Sequence, residues 1–134
     1  MMQMKLELVP IPVSDVERAK AFYVEKVGFH LDHDVQPGNG MRVIQLTPPG
    51  SACSIVIGTG MGEIDNMMPG SLKAIHLVVA DVRQARETLI SRGVEMGEID
   101  EHPQGIKYAR FSDPDGNSWT FQEMPWRSAE FTNS

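Results

Sequence analysis

Two stretches of the chain carry the same succession of apolar and polar positions. Leu6 to Val13 and Leu72 to Val79 are short, apolar and rich in branched side chains, and each predicts a strand. A helix follows each strand. In the first helix Val16, Ala19, Phe22, Tyr23 and Val27 recur at helical spacing; in the second, Val82, Ala85 and Leu89 do so, with Thr88 beside them. Ser14 and Glu17 have the spacing of a capping box, and Asp81 is placed to cap the second helix. Gly28 and Gly93 stand where a helix closes in a left-handed residue. Three further strands are predicted in each half, at roughly 29–35, 41–47 and 53–58, and at roughly 94–99, 106–112 and 117–123. Pro37-Gly38-Asn39-Gly40, Pro48-Pro49-Gly50 and Asp113-Pro114-Asp115-Gly116 supply the turns. Both apolar helix stripes read as core.

The two halves therefore read as copies of one βαβββ unit. Val13-Ser14-Asp15-Val16-Glu17-Arg18-Ala19-Lys20 aligns with Val79-Ala80-Asp81-Val82-Arg83-Gln84-Ala85-Arg86, and residues 42–49 align with 107–114. The expected organisation is a first module over 1–57, a linker over 58–71, a second module over 72–124 and a tail over 125–134, together one α+β domain. The linker holds Gly58, Gly60, Gly62 and three methionines, Met61, Met67 and Met68, which would serve as an adaptable lid or simply as a mobile loop.

Composition narrows the partners more than the fold. With 12 basic against 18 acidic side chains the 134-residue chain carries a net charge of −6, which argues against nucleic acid, since phosphate neutralisation needs a basic surface. Cys53 is the single cysteine, so an internal disulfide and a cysteine-built metal cluster are excluded. The first residues lack the basic and apolar regions of a signal peptide, and no apolar run approaches bilayer length, so the expectation is a cytoplasmic protein with no membrane partner.

The paired βαβββ pattern resembles the vicinal oxygen chelate superfamily, and within it the glyoxalase/bleomycin-resistance branch. Pro12 through Tyr23 with Gly28-Phe29, Val79-Ala80-Asp81-Val82 through Arg92-Gly93, and Phe111-Ser112-Asp113-Pro114-Asp115-Gly116-Asn117 carry the likeness, which covers residues 5 to 124. The resemblance implies that each unit curls its strands into half a cup, with its helix outside and two half-cups enclosing a cavity. It further implies a homodimer or a cup closed within one chain, and the sequence leaves both open. In metal-binding members four strands each give one His, Glu or Gln to a divalent ion that polarises substrate oxygens.

The resemblance also places those four positions. Seven residues before Asp15 stands Leu8, and seven before Asp81 stands Ala74. The position in the last strand of the first unit is Val56 or, in another register, Ser54. The fourth, after the Asp-Pro-Asp-Gly turn, is Thr120. None is an imidazole, carboxylate or amide, so no metal or other cofactor is expected; a divalent metal is the alternative. A displaced site from His76 and Gln122 would be short of donors.

Strand alternation then assigns the cup lining. Ile75, Leu77, Phe111, Trp119 and Phe121 face the helices. Gln45, His76, Tyr108, Arg110, Thr120 and Gln122 face the cup among apolar neighbours such as Leu8 and Pro10. This is the composition of a small-ligand pocket. Arg110 reads either as a partner for a ligand carboxylate or phosphate or as a rim arginine paired with an acidic neighbour. His76 reads either as a general base or as a histidine bonded within its sheet. His30 and His33, at odd spacing, are expected on opposite faces and at the surface, and His102 falls in a loop. The function these residues point to is binding of a small organic, anionic molecule without metal. The alternative is a glyoxalase-type lyase, isomerase or dioxygenase, working with a divalent metal or through His76 and Arg110 as catalytic residues.

Overall fold

The first helix begins one residue later than the capping-box spacing predicts. Asp15 is its N-cap: its carboxylate accepts the Arg18 N–H at 3.1 Å. Ser14 instead donates through its hydroxyl and backbone N–H to the two oxygens of Asp115, at 2.5 and 3.1 Å. Glu17, freed from capping, pairs with Arg42. Asp81 caps the second helix as expected, accepting from Gln84 N at 3.0 Å. Gly28 and Gly93 close their helices at φ +93° and +87°.

The computed structural model describes residues 1–131. The elements are β1 (Leu8–Pro10), α1 (Val16–Ala21), β2 (His30–Gly38), β3 (Met41–Thr47), β4 (Ser54–Thr59), β5 (Ile75–Val78), α2 (Val82–Ser91), β6 (Asp100–Glu101), β7 (Lys107–Ser112) and β8 (Ser118–Glu123). Helix α1 does not continue as α. Over Phe22–Val27 it widens into a π turn, in which Gly28 N reaches back to Tyr23 O. That turn buries the adjacent Phe22 and Tyr23 together.

The chain divides into two compact units: residues 1–71 with Asp113–Asn117, and Leu72–Ser112 with the chain from Ser118 onward. The first holds a sheet in the order β1-β4-β3-β2, with β1 and β4 parallel and the rest antiparallel. The second repeats the plan as β5-β8-β7-β6. This is an α+β fold built on two βαβββ units. One face of each sheet is covered and apolar: Ile44, Leu46, Ile55 and Ile57 in the first, and Ala109, Phe111, Trp119 and Phe121 in the second.

Several predicted strands are shorter or displaced. β1 covers three residues, and Ile11 N adds a bond to Val56 O at 2.9 Å before Pro12, which has no N–H to give. β5 begins only after Ala74, whose φ of +57° breaks the extended backbone. The strand expected at 94–99 appears as the two residues of β6; over 94–99 Gly97 N still donates to Arg110 O at 2.8 Å. Within 58–71 the chain forms a 3-10 turn over Gly62–Asn66, and another covers Pro125–Glu130 in the expected tail. The tail's last residues, 132–134, lie outside the described residues.

At Gly70 both backbone and space require glycine. Gly70 sits at φ +82°, donates to Pro12 O at 3.2 Å, and a Cβ there would stand 2.1 Å from Asp115 O. Gly70→Ala is expected to lower stability by about 2 kcal/mol or more, since left-handed strain alone costs about 1–2 kcal/mol. Urea denaturation followed by circular dichroism reads this as a lower midpoint at unchanged slope.

Candidate functional site: the open sheet faces

Cross-strand partners share a face, so the register decides what stands together. In the second unit Ile75 and Phe111 both pair with Trp119, and Leu77 and Ala109 with Phe121, on the covered face. The opposite face is a grid of two rows across β5, β8 and β7. His76, Thr120 and Arg110 form one row, and Val78, Gln122 and Tyr108 the next. Five residues expected to line a pocket are thus neighbours on one surface. Gln45 belongs to the first unit.

Tyr108 is the hub of this face. Its ring meets His76 at 6.2 Å and His102 at 5.2 Å, both edge to face, and the Arg110 guanidinium lies 5.9 Å from its centre. Gln122 Nε2 donates to the Tyr108 hydroxyl at 3.4 Å. Thr120 beneath them is only 2% exposed. Arg110 stays 58% exposed, with its Nη1 3.8 Å from Asp100 Oδ2.

Asp100 and His102 join the cluster without a signal in the periodicity. Asp100 pairs with Tyr108 across β6 and β7, and its Oδ2 is 3.1 Å from His102 Nε2. Their two-residue spacing at the end of an edge strand was the available cue; the expectation of a strand ending at 99 concealed it. The face therefore gathers His76, His102 and Arg110 around the Tyr108 ring, with the Asp100 carboxylate beside His102 and Arg110.

His76 has a defined tautomer. Its Nδ1 lies 2.7 Å from Ala74 O, and a carbonyl can only accept, so Nδ1 carries the proton and donates. In the neutral ring Nε2 is then an acceptor. The in-sheet bond and an outward-facing acceptor coexist on the same side chain.

In the first unit the face opposite the core carries Leu8, Pro10, Val43, Gln45, Ser54 and Val56, tied by the pairs Leu8–Ser54, Pro10–Val56 and Gln45–Val56. The register shift between Leu31 and His33 corrects one expectation. His30 pairs with Thr47 and His33 with Gln45, so both histidines share the Gln45 face despite their odd spacing. Both are exposed. Thr47 and Ser54 hydroxyls share a hydrogen bond of 2.6 Å on this face.

The family model for the Glyoxalase/Bleomycin resistance protein/Dioxygenase superfamily matches residues 5–121. The chain belongs to this superfamily. Among solved structures it is similar to TnmS3, an antibiotic binding protein from Streptomyces sp. CB03234, at 39% identity and a TM-score of 0.80, over 92% of this chain and 98% of that one. It is also similar to a superfamily member from Sphaerobacter thermophilus, at 34% identity and a TM-score of 0.79, over 92% and 99% of the two chains. The curated protein YetH of Bacillus subtilis, itself uncharacterized, is 32% identical over 119 residues, which is 86% of this chain and 94% of YetH.

The positions that the resemblance assigns to metal ligands hold a poor donor set. Leu8, Val56 and Ala74 have no side-chain donor, and Thr120 is a buried hydroxyl. Ser54, the other register choice, already bonds Thr47. Among the described residues no group of three or more His, Cys, Asp or Glu side chains comes together. Divalent ions require several oxygen or nitrogen donors at once, so these residues do not fit one. Also among the described residues, no helix is long and apolar enough to cross a membrane.

Proposed function

We propose that this superfamily member is a metal-independent binding protein that holds a small organic molecule, partly apolar and anionic, against the open sheet face of its second unit. The observation that carries the reading is the second unit's grid, where Arg110, His76 and Gln122 stand on one surface around the Tyr108 ring. Aromatic area with a few directed polar groups is the make-up of small-molecule sites. The similarity to TnmS3, described as antibiotic binding, supports the same class of ligand. The side chains at the metal positions support binding without an ion. A homodimer in the cytoplasm belongs to this reading. Support for the dimer comes from the apolar side chains of the first unit left exposed, Leu6, Leu8 and Val35 among them.

A second reading has a specific observation in its favour. The fixed tautomer of His76 leaves Nε2 as a proton acceptor, which is the form a general base needs. Arg110 would then stabilise an anionic intermediate. That reading makes the protein an enzyme rather than a sequestering protein.

Elemental analysis of protein purified without chelator is expected to find far less than one divalent ion per chain, and one ion per chain would overturn the metal-free reading. Thermal-shift screening against small acids, aromatic metabolites and antibiotics is expected to give saturable stabilisation, about 3 kcal/mol at a hundredfold excess over Kd. Recovery of the compound unchanged separates binding from turnover. Light scattering on the same sample is expected to give the mass of two chains.

A further inference from the structure

The geometry points to a ligand class for the second unit's face: a planar aromatic acid that carries a hydroxyl at the end of its ring system remote from the acid. This inference rests on the small-molecule-binding reading and makes it specific. His76, Thr120 and Arg110 are consecutive partners across β5, β8 and β7. Two interstrand spacings therefore separate His76 from Arg110, about 10 Å between backbones. The two ends of the row differ in chemistry. Arg110 offers a fork of N–H donors. Asp100 approaches Nη1 at 3.8 Å, longer than a hydrogen bond, so a carboxylate can still be received in bidentate form. His76 presents Nε2 as an acceptor because Nδ1–H is spent on Ala74 O, so what it takes from a neutral ligand is a donor such as a phenolic hydroxyl.

Between these anchors the surface suits a flat ring. Thr120 is buried beneath it and Val78 is half-buried. The rings of His76 and Tyr108 lie 6.2 Å apart, edge to face, although their strands are two spacings apart, so both lean over β8 and bring apolar ring area beside the row. Gln122 holds the Tyr108 hydroxyl from below, fixing that ring. A bare inorganic anion would find one exposed arginine already beside a carboxylate, a weak site. An acid attached to a fused ring adds apolar contact along the row and reaches the second anchor.

The probe is 6-hydroxy-2-naphthoate, whose acid and hydroxyl occupy opposite ends of two fused rings. Its comparators are 2-naphthoate, the methyl ester of the hydroxy acid, and inorganic phosphate. Calorimetric titration of the full chain is expected to rank the hydroxy acid about tenfold above both naphthyl comparators, with phosphate not binding. Arg110→Gln is expected to abolish the advantage over the ester and leave the advantage over 2-naphthoate. His76→Phe is expected to do the reverse. Equal affinity for all three naphthyl compounds, or equal loss in both variants, overturns the two-anchor site. If the naphthoates fail to bind while antibiotics or other aromatic metabolites of the thermal-shift screen do, the ligand class is wrong and the binding reading stands. If nothing binds, both fall.

Discussion

Asp113→Ala is expected to destabilise the protein by about 3–5 kcal/mol, a large share of the roughly 5–15 kcal/mol that holds a domain of this size. Asp113 is 5% exposed and accepts four hydrogen bonds. Oδ2 takes the Tyr23 hydroxyl at 2.7 Å and Asn117 Nδ2 at 2.8 Å; Oδ1 takes the backbone N–H of Asp115 at 3.0 Å and of Asn117 at 2.9 Å. Asn117, fully buried, also donates to Pro12 O at 2.8 Å. Removing the carboxylate withdraws the common acceptor from all of these donors in a buried place, where each lost bond costs more than its net worth. Tyr23→Phe removes the hydroxyl whose hydrogen bond Asp113 accepts and is expected to cost about 1–2 kcal/mol. Urea denaturation of the two variants reads the order; a value for Asp113→Ala within about 0.5 kcal/mol of the parent would show that the network does not hold the turn.

This network also marks the boundary of what the sequence makes legible. The Asp-Pro-Asp-Gly-Asn run announces a turn by its residue types alone. Its partners are Tyr23, 90 positions away, and Pro12, 105 positions away, and no local pattern encodes such pairings. Asp81 capping α2, the left-handed Gly28 and Gly93, and the alternation that sends Phe111 and Trp119 to one face all depend on near neighbours, and they appear where expected. The first cap differed because Asp115 supplied Ser14 with a tertiary acceptor that outcompeted the local box.

The candidate site was legible to the same degree. Period-two alternation sufficed to put His76, Thr120, Arg110, Tyr108 and Gln122 on one surface, since β5, β7 and β8 run without interruption there. It failed at His30 and His33 because an extra residue in β2 resets the alternation, and a bulge leaves no mark in hydrophobicity. It missed Asp100 and His102 because β6 is two residues long, too short for any period to register. The superfamily model extends over 5–121 and vouches for the fold, whereas the roles of these side chains rest on their own geometry.

Asp34→Asn is expected to cost about 1–3 kcal/mol at pH 7 and progressively less in acid. Asp34 pairs with Ile44 in register, on the covered side of the first sheet. Its Oδ1 takes Arg42 Nε at 3.0 Å, and Oδ2 takes Arg42 Nη2 at 2.7 Å and Lys20 Nζ at 2.8 Å. The side chains of Asp34 and Arg42 are 18% and 20% exposed, so solvent screens them only in part. Hydrogen bonding from Arg42, then from Lys20, holds the Asp34 carboxyl well below the usual carboxylate range, against the opposing effect of burial. The same pairing pushes the Arg42 guanidinium above its ordinary value, beyond any working pH. Because the folded carboxyl titrates below the unfolded one, the unfolded chain binds the proton first as pH falls. The stabilisation is therefore complete above the unfolded value near pH 4 and drains away as pH drops toward the folded value. The amide has no such proton to gain, so the gap between parent and variant should narrow from pH 5 to pH 3 in urea titrations, other carboxylates cancelling in the difference. A gap that stays constant over that range would mean that the variant's cost comes from the lost acceptor oxygen and not from the Asp34 charge. A gap that closes would identify the Lys20–Asp34–Arg42 contact as the electrostatic tie that holds β2, and with it His33 on the opposite face, in register.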